Sequence, residues 1–148
     1  MIILSIDLGS HTGIVVYDIE QKSILHNETK HFKEKDLIKR IVSIYKYFKD
    51  LIYLWKPAII ITPTPVRFYN TYKTHFQYQG VVSLLCGLNN IKSHITNDKH
   101  CKSIILKQGN SNKIAIEEYY KNKGIELNTE HEYDALMFAE AYILDYLK

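Results

Sequence analysis

The chain has 148 residues, of which 46% are apolar and 24% charged, the balance of an ordinary globular domain able to bury a core of its own. No run of about 18 apolar residues occurs, so no membrane span is predicted. The short apolar start has no basic region before it, so no signal peptide is expected either. Cys86 and Cys101 are the only cysteines; they form no disulfide framework, and they fit a reducing, cytoplasmic setting.

Residues 2–7, Ile-Ile-Leu-Ser-Ile-Asp, read as a buried strand, and 13–18 as a second strand joined to it by a turn of hairpin length. Residues 23–29 read as a third strand, completing an antiparallel meander. Leu37, Ile38, Ile41, Val42, Ile44, Tyr45 and Phe48 recur at helical spacing, which predicts a long amphipathic helix over 34–54, ended by Pro57. Residues 58–62 form a short apolar strand suited to the middle of a sheet, stopped by Pro63 and Pro65. A helix is predicted over 68–88, a fifth strand over 91–96, a helix over 113–122 ended by Gly124, and a last helix over 134–147. No repeat or linker interrupts the order β-β-β-α-β-α-β-α-α, so 1–148 reads as one α/β domain: a mixed five-stranded sheet with helices on both faces. That is the ribonuclease H-like arrangement, in which the first strand is central and the last helix packs near its end.

Charge is unevenly spread. The net charge is +3, and no Asp or Glu occurs from Leu51 through Asn97, where Lys56, Arg67, Lys73 and Lys92 alternate with Phe68, Tyr69, Tyr72, Phe76 and Tyr78. Cations interleaved with aromatics are what a polyanion with stackable bases attracts. A solvated basic face over core aromatics has the same composition.

Asp7 follows directly on the first strand, where an unpaired carboxylate would cost several kcal/mol, on the order of any buried charge. In the expected fold it meets Asp134 at the start of the last helix and His131 three residues earlier, on the same helical face. Two carboxylates and an imidazole suit Mg²⁺ or Mn²⁺, and metal-assisted phosphodiester hydrolysis uses such a set. Helix capping accounts for the same residue types when they stand alone. A second cluster, His94, Asp98, His100 and Cys101, has zinc-binding residue types, but its spacing matches no finger pattern. His11, His26, His31 and His75 stand alone, without a role.

The opening "SIDLGSHTGIVVYD" resembles the first hairpin of the RuvC-type Holliday junction resolvases, and "HEYDALMFAEAYI" resembles their last helix. Between them, "HCKSIILKQGNSNKIAIEEYY" is similar to the family's Lys, short helix, Gly-containing turn and second Lys. The resemblance covers most of the chain in order, though its motifs are loose. It implies a metal-dependent, homodimeric endonuclease that acts on branched DNA; the abundance of Ile, Asn, Lys and Tyr suggests an AT-rich genome, bacterial or of a phage or virus. It further implies that Asp7, His131 and Asp134 are metal-binding and catalytic, that Lys102 is a basic residue near them, and that Lys113 is a second basic position toward the DNA. Arg67, Phe68, Tyr69, Lys73 and Lys107 are the other candidate DNA contacts.

One departure from the family stands out. The resolvases carry a Glu at the end of the fourth strand, where this chain is expected to end the strand in Thr62. A hydroxyl is a poor ligand for Mg²⁺ and brings no charge. Asp98, Glu130 and Glu132 are the nearest acids that could enter instead. The alternatives are a relative that binds branched DNA or a partner without cutting, and a related single-domain RNA-processing nuclease. Sugar-kinase and actin-like ATPases share the fold, but they enclose a nucleotide between two such domains.

Overall fold

The computed structural model describes residues 1–66 and 70–147. Its elements are β1 (Ile2–Asp7), β2 (His11–Asp18), β3 (Ser23–His31), α1 (Leu37–Trp55), β4 (Ile59–Pro63), α2 (Tyr72–Leu88), β5 (Lys92–Thr96), α3 (Asp98–Leu106), α4 (Lys113–Asn122) and α5 (Glu130–Tyr146). They form one five-stranded sheet in the order β3-β2-β1-β4-β5. The central strand β1 pairs antiparallel with β2 and parallel with β4, which in turn pairs parallel with β5.

Side chains alternate across a strand, so each strand feeds two cores. Ile3, Val15, Ile59 and Ile61 pack against α3, α4 and α5. Leu4, Ile6, Ile14, Val16 and Ile60 pack against α1 and α2 on the other face. The expected three-layer α/β arrangement, with β1 in the middle, is the one observed.

Several details differ from expectation. α3 is an additional helix, capped by Asn97, whose side chain accepts from His100 N. Periodicity did not show it, because "DKHCKSIIL" is short and its polar residues resemble a ligand cluster; only the resemblance implied a short helix in this segment. α5 begins at Glu130, four residues earlier than expected, because Thr129 caps it by accepting from Glu132 N. α2 begins at Tyr72 after a turn at 70–71; the expected start at 68 lies outside the described residues. Strand β4 includes Pro63, which needs no donor of its own there.

α5 is the element that ties the cores to the cleft. Residues Glu132 through Ala139 are all buried, and the helix lies across β1 and β2. The approach is close at Gly13, where an added Cβ would lie 2.1 Å from the His131 carbonyl oxygen. No larger residue fits there without moving the first turn of α5.

Candidate active site

Parallel strands β1 and β4 both end at the same edge of the sheet, and a cavity of about 680 Å³ opens beyond their carboxyl ends. Asp7, Pro63, Asp98, Lys102, Lys113 and Asp134 are among the residues lining it. This is where α/β sheets commonly place ligands.

Asp7 is the last residue of β1 and shares a face with Ile3 and Ser5, toward α5. His131, in the first turn of α5, presents Nδ1 at 2.9 Å from Asp7 Oδ2. A carboxylate can only accept, so Nδ1 carries the proton and Nε2 is left to face other groups. The hydrogen bond to Asp7 raises the His131 pKa above its ordinary value, against burial. Asp134 lies one turn further along α5, with its side chain only 7% exposed. Burial, then the charge of Asp7, pushes its carboxyl up to about 6.

Lys113, the first residue of α4, places Nζ 3.3 Å from Asp134 Oδ2 and 3.5 Å from Glu130 Oε1. Burial works against its ammonium, but Asp134, Asp7 and Glu130 outweigh that and raise its pKa. The position expected to face DNA therefore faces the acids. Lys102 is buried in the cleft wall, its Nζ 2.7 Å from Asp98 Oδ2.

The fourth-strand departure takes a different form from the one expected. In the parallel register, Ile3, Leu4 and Ser5 lie beside Ile59, Ile60 and Ile61, which sets Asp7 beside Pro63. Pro63 lines the cavity, whereas Thr62 points to the opposite face, where its hydroxyl accepts from Gln79 Nε2 at 3.3 Å. Neither position holds a carboxylate. Of the three acids named as replacements, Glu132 is turned away: it accepts from Asn27 Nδ2 at 2.6 Å, Thr29 Oγ1 at 2.9 Å and Asn128 N at 3.1 Å. Asp98 lines the cavity, and Glu130 stands at its rim beside Lys113.

His11 and His75, given no role from sequence, also line the cavity. His11 stacks on His31 with ring centroids 3.9 Å apart and lies 6.2 Å from the His131 ring. The β2–β3 register pairs His11 with His31, two residues beyond each strand as read from sequence, so no sequence signal marked them. Lys73 and Lys107 are exposed on α2 and at the end of α3, outside the cavity wall. Arg67, Phe68 and Tyr69 lie outside the described residues. The second cluster disperses: His94 packs against Tyr142 and Tyr146, His100 pairs with Asp145, and Cys101 with Thr96.

A hard divalent ion needs carboxylate oxygens, and Asp7 and Asp134 supply them, with His131 as a nitrogen donor tolerated by Mn²⁺. The raised Asp134 pKa marks surplus negative charge in a poorly solvated place, which a cation relieves. The donor set fits one such ion. As the side chains stand, no three His, Cys, Asp or Glu among the described residues converge on a single point. Asp7 is turned to His131 and Asp134 to Lys113.

This five-stranded sheet with its helices is the fold of the RuvC-type Holliday junction resolvases. Thermus thermophilus RuvC superposes with a TM-score of 0.82 at 17% identity, over 96% of this chain and 93% of that one. The same protein in complex with Holliday junction substrate gives 0.78 at 18% identity, over 96% and 92%. The fowlpox virus resolvase, in complex with its substrate Holliday junction DNA, gives 0.55 at 17% identity, over 100% of both chains. No protein-family model and no curated protein sequence matches the chain. At this level of identity the likeness establishes the fold.

Proposed function

We propose that the chain is a divalent-metal-dependent, structure-selective endonuclease that resolves four-way or branched DNA junctions. The observation that carries this reading is Asp134, a buried carboxyl pushed up to about 6 beside Asp7, at the carboxyl end of the central strand. The fold is shared with T. thermophilus RuvC and the fowlpox resolvase, both of which have been seen with junction DNA.

In this reading Asp7 and Asp134 hold Mg²⁺ or Mn²⁺, with His131 beside them. The ion supplies positive charge against the scissile phosphate and makes water more acidic. Asp7 fixes the His131 tautomer, so Nε2 is the nitrogen with a free lone pair, for the ion or for a proton of the attacking water. Hydrolysis forms a bond from the water oxygen to phosphorus, breaks the bond to the departing sugar oxygen, and delivers a proton to that oxygen. Lys102, anchored by Asp98, adds a cation to the wall along which the phosphate backbone runs. Lys73 and Lys107, with Arg67, Phe68 and Tyr69, are proposed to contact the DNA arms, the aromatics as wedges against unstacked bases. A homodimer whose two-fold axis matches the junction would cut symmetrically. The setting is the cytoplasm of a bacterium or of a cell infected by the phage or virus that encodes it.

A second reading, binding without cutting, draws on Pro63 and Thr62, which leave the fourth strand without an acid. One experiment separates the two. A labelled four-way junction and a matched linear duplex are incubated with the protein in Mg²⁺ and in Mn²⁺, beside Asp7→Asn. Paired nicks in the junction that vanish in Asp7→Asn are the expected result. Tight, salt-sensitive junction binding without nicks in either metal selects the binding reading. Cleavage of structured RNA alone would move the substrate class to RNA.

A further inference from the structure

The cleft carries a cation of its own. Lys113 stands at a place where a lysine is otherwise disfavoured, the first residue of α4 just after the Asn112 cap. The amino end of a helix is its positive end and opposes an ammonium there. The side chain is nevertheless held across the gap to α5, within 3.3 Å of Asp134 and 3.5 Å of Glu130, although 48% of its surface stays exposed. Asp134 has no other partner among the described residues.

Charge sets how many further cations the site accepts. The acids acting on Lys113 are Asp134, Asp7 and Glu130, while Asp98 is already matched by Lys102. One divalent ion together with the Lys113 ammonium balances three carboxylates. Two divalent ions beside the same ammonium would leave a surplus of positive charge, in a cleft whose β4 position nearest Asp7 is Pro63. Pairs of divalent ions sit about 4 Å apart where they occur, and such proximity needs shared carboxylates.

We propose that the Lys113 ammonium is a built-in cation that takes the place of one divalent ion, so that the cleft accepts a single ion per chain. This inference rests on reading the cleft as a metal-dependent nuclease centre. It assigns Lys113 to charge compensation at Asp134 rather than to holding DNA. It also explains how a site lacking the fourth-strand acid stays balanced.

The test counts ions on the intact protein without DNA, so it does not depend on cleavage. Mn²⁺ binding is followed by the paramagnetic resonance of free Mn²⁺ and by calorimetry for the wild type, Lys113→Arg, Lys113→Gln, and Lys113→Gln with Pro63→Glu. Circular dichroism melts confirm that each variant is folded. One Mn²⁺ per chain is expected for the wild type and for Lys113→Arg. Lys113→Gln, which removes the competing cation, is expected to bind its Mn²⁺ at least 10-fold more tightly. The double variant, which exchanges the ammonium for a carboxylate, is expected to take two. Two ions on the wild type, or unchanged or weaker Mn²⁺ binding by folded Lys113→Gln, would overturn the inference and leave the nuclease reading intact. No Mn²⁺ on any form would overturn both.

Discussion

Glu132 and Asp134 are both buried carboxyl residues in the first turns of α5, two positions apart and facing different parts of the molecule. Glu132 faces β3 and accepts hydrogen bonds from Asn27, Thr29 and the backbone of Asn128. Asp134 faces the cleft and has a single cation at 3.3 Å, with a second carboxylate raising its pKa further. One acid is saturated by donors fixed in the fold, which makes it a clamp between the sheet edge and the last helix. The other is buried and left short of partners, and that shortage is the capacity to bind something else.

Removing each acid tests this contrast. Asp134→Asn is expected to lower junction cleavage on the order of 10³-fold, the scale of losing a principal electrostatic contact to the reacting group. The same substitution is expected to leave the metal-free protein as stable as before or more so at pH 7–8, because a strained charge disappears. Single-turnover nicking and thermal melts on one preparation check both halves. Glu132→Ala is expected to do the reverse. It strands the donors of Asn27, Thr29 and Asn128 and should cost about 3 kcal/mol, which for a domain of this size lowers Tm by roughly 6–12 °C. Cleavage by the fraction still folded should remain.

The smallest effect lies in pH. The Asp134 carboxyl has its pKa raised to about 6 in the folded chain from 3.8, so between those values the folded state holds more proton than the unfolded state. Stability of the metal-free protein is therefore expected to fall as pH rises from about 4 to 6, by on the order of 2 kcal/mol from this group. His131, also raised, works in the same sense: its contribution is present below the ordinary histidine pKa and is lost as pH rises through the higher folded value. Denaturant titrations at several pH values should show this slope in the wild type and in Glu132→Ala, and a flatter one in Asp134→Asn.

Much of this was legible in the sequence. The element order pointed to a ribonuclease H-like sheet, and in that arrangement Asp7, His131 and Asp134 were expected at one edge, although the last helix was read from 134 and left His131 outside it. The fourth strand was harder, for a physical reason. Reading it as ending at Thr62 instead of Pro63 is a shift of one residue, and in a strand one residue moves a side chain to the opposite face. Prolines were read as a stop, and only the register with β1 shows that Pro63 belongs to the strand. α3 escaped the periodicity reading because nine residues give little period, and only the resemblance implied a short helix there. The place of Lys113 depends on how α4 docks against α5, which no local pattern encodes, although a lysine at a helix start after an Asn cap was a hint that something negative stands opposite. Glu132 looked like a spare acid because its donors are on β3, about a hundred residues away.

The partnership of Asp7 with His131 spans 124 residues of sequence, from the first strand to the last helix. During synthesis, the acid at the end of β1 emerges long before its partners do. A nascent chain short of α5 has neither Asp134 nor His131 at the cleft, and the face of its sheet that α5 covers is still bare. Under the proposed reading, catalytic competence waits for the docking of α5. A nuclease built this way is silent until α5 has docked, and a truncation that removes α5 is inert rather than unregulated.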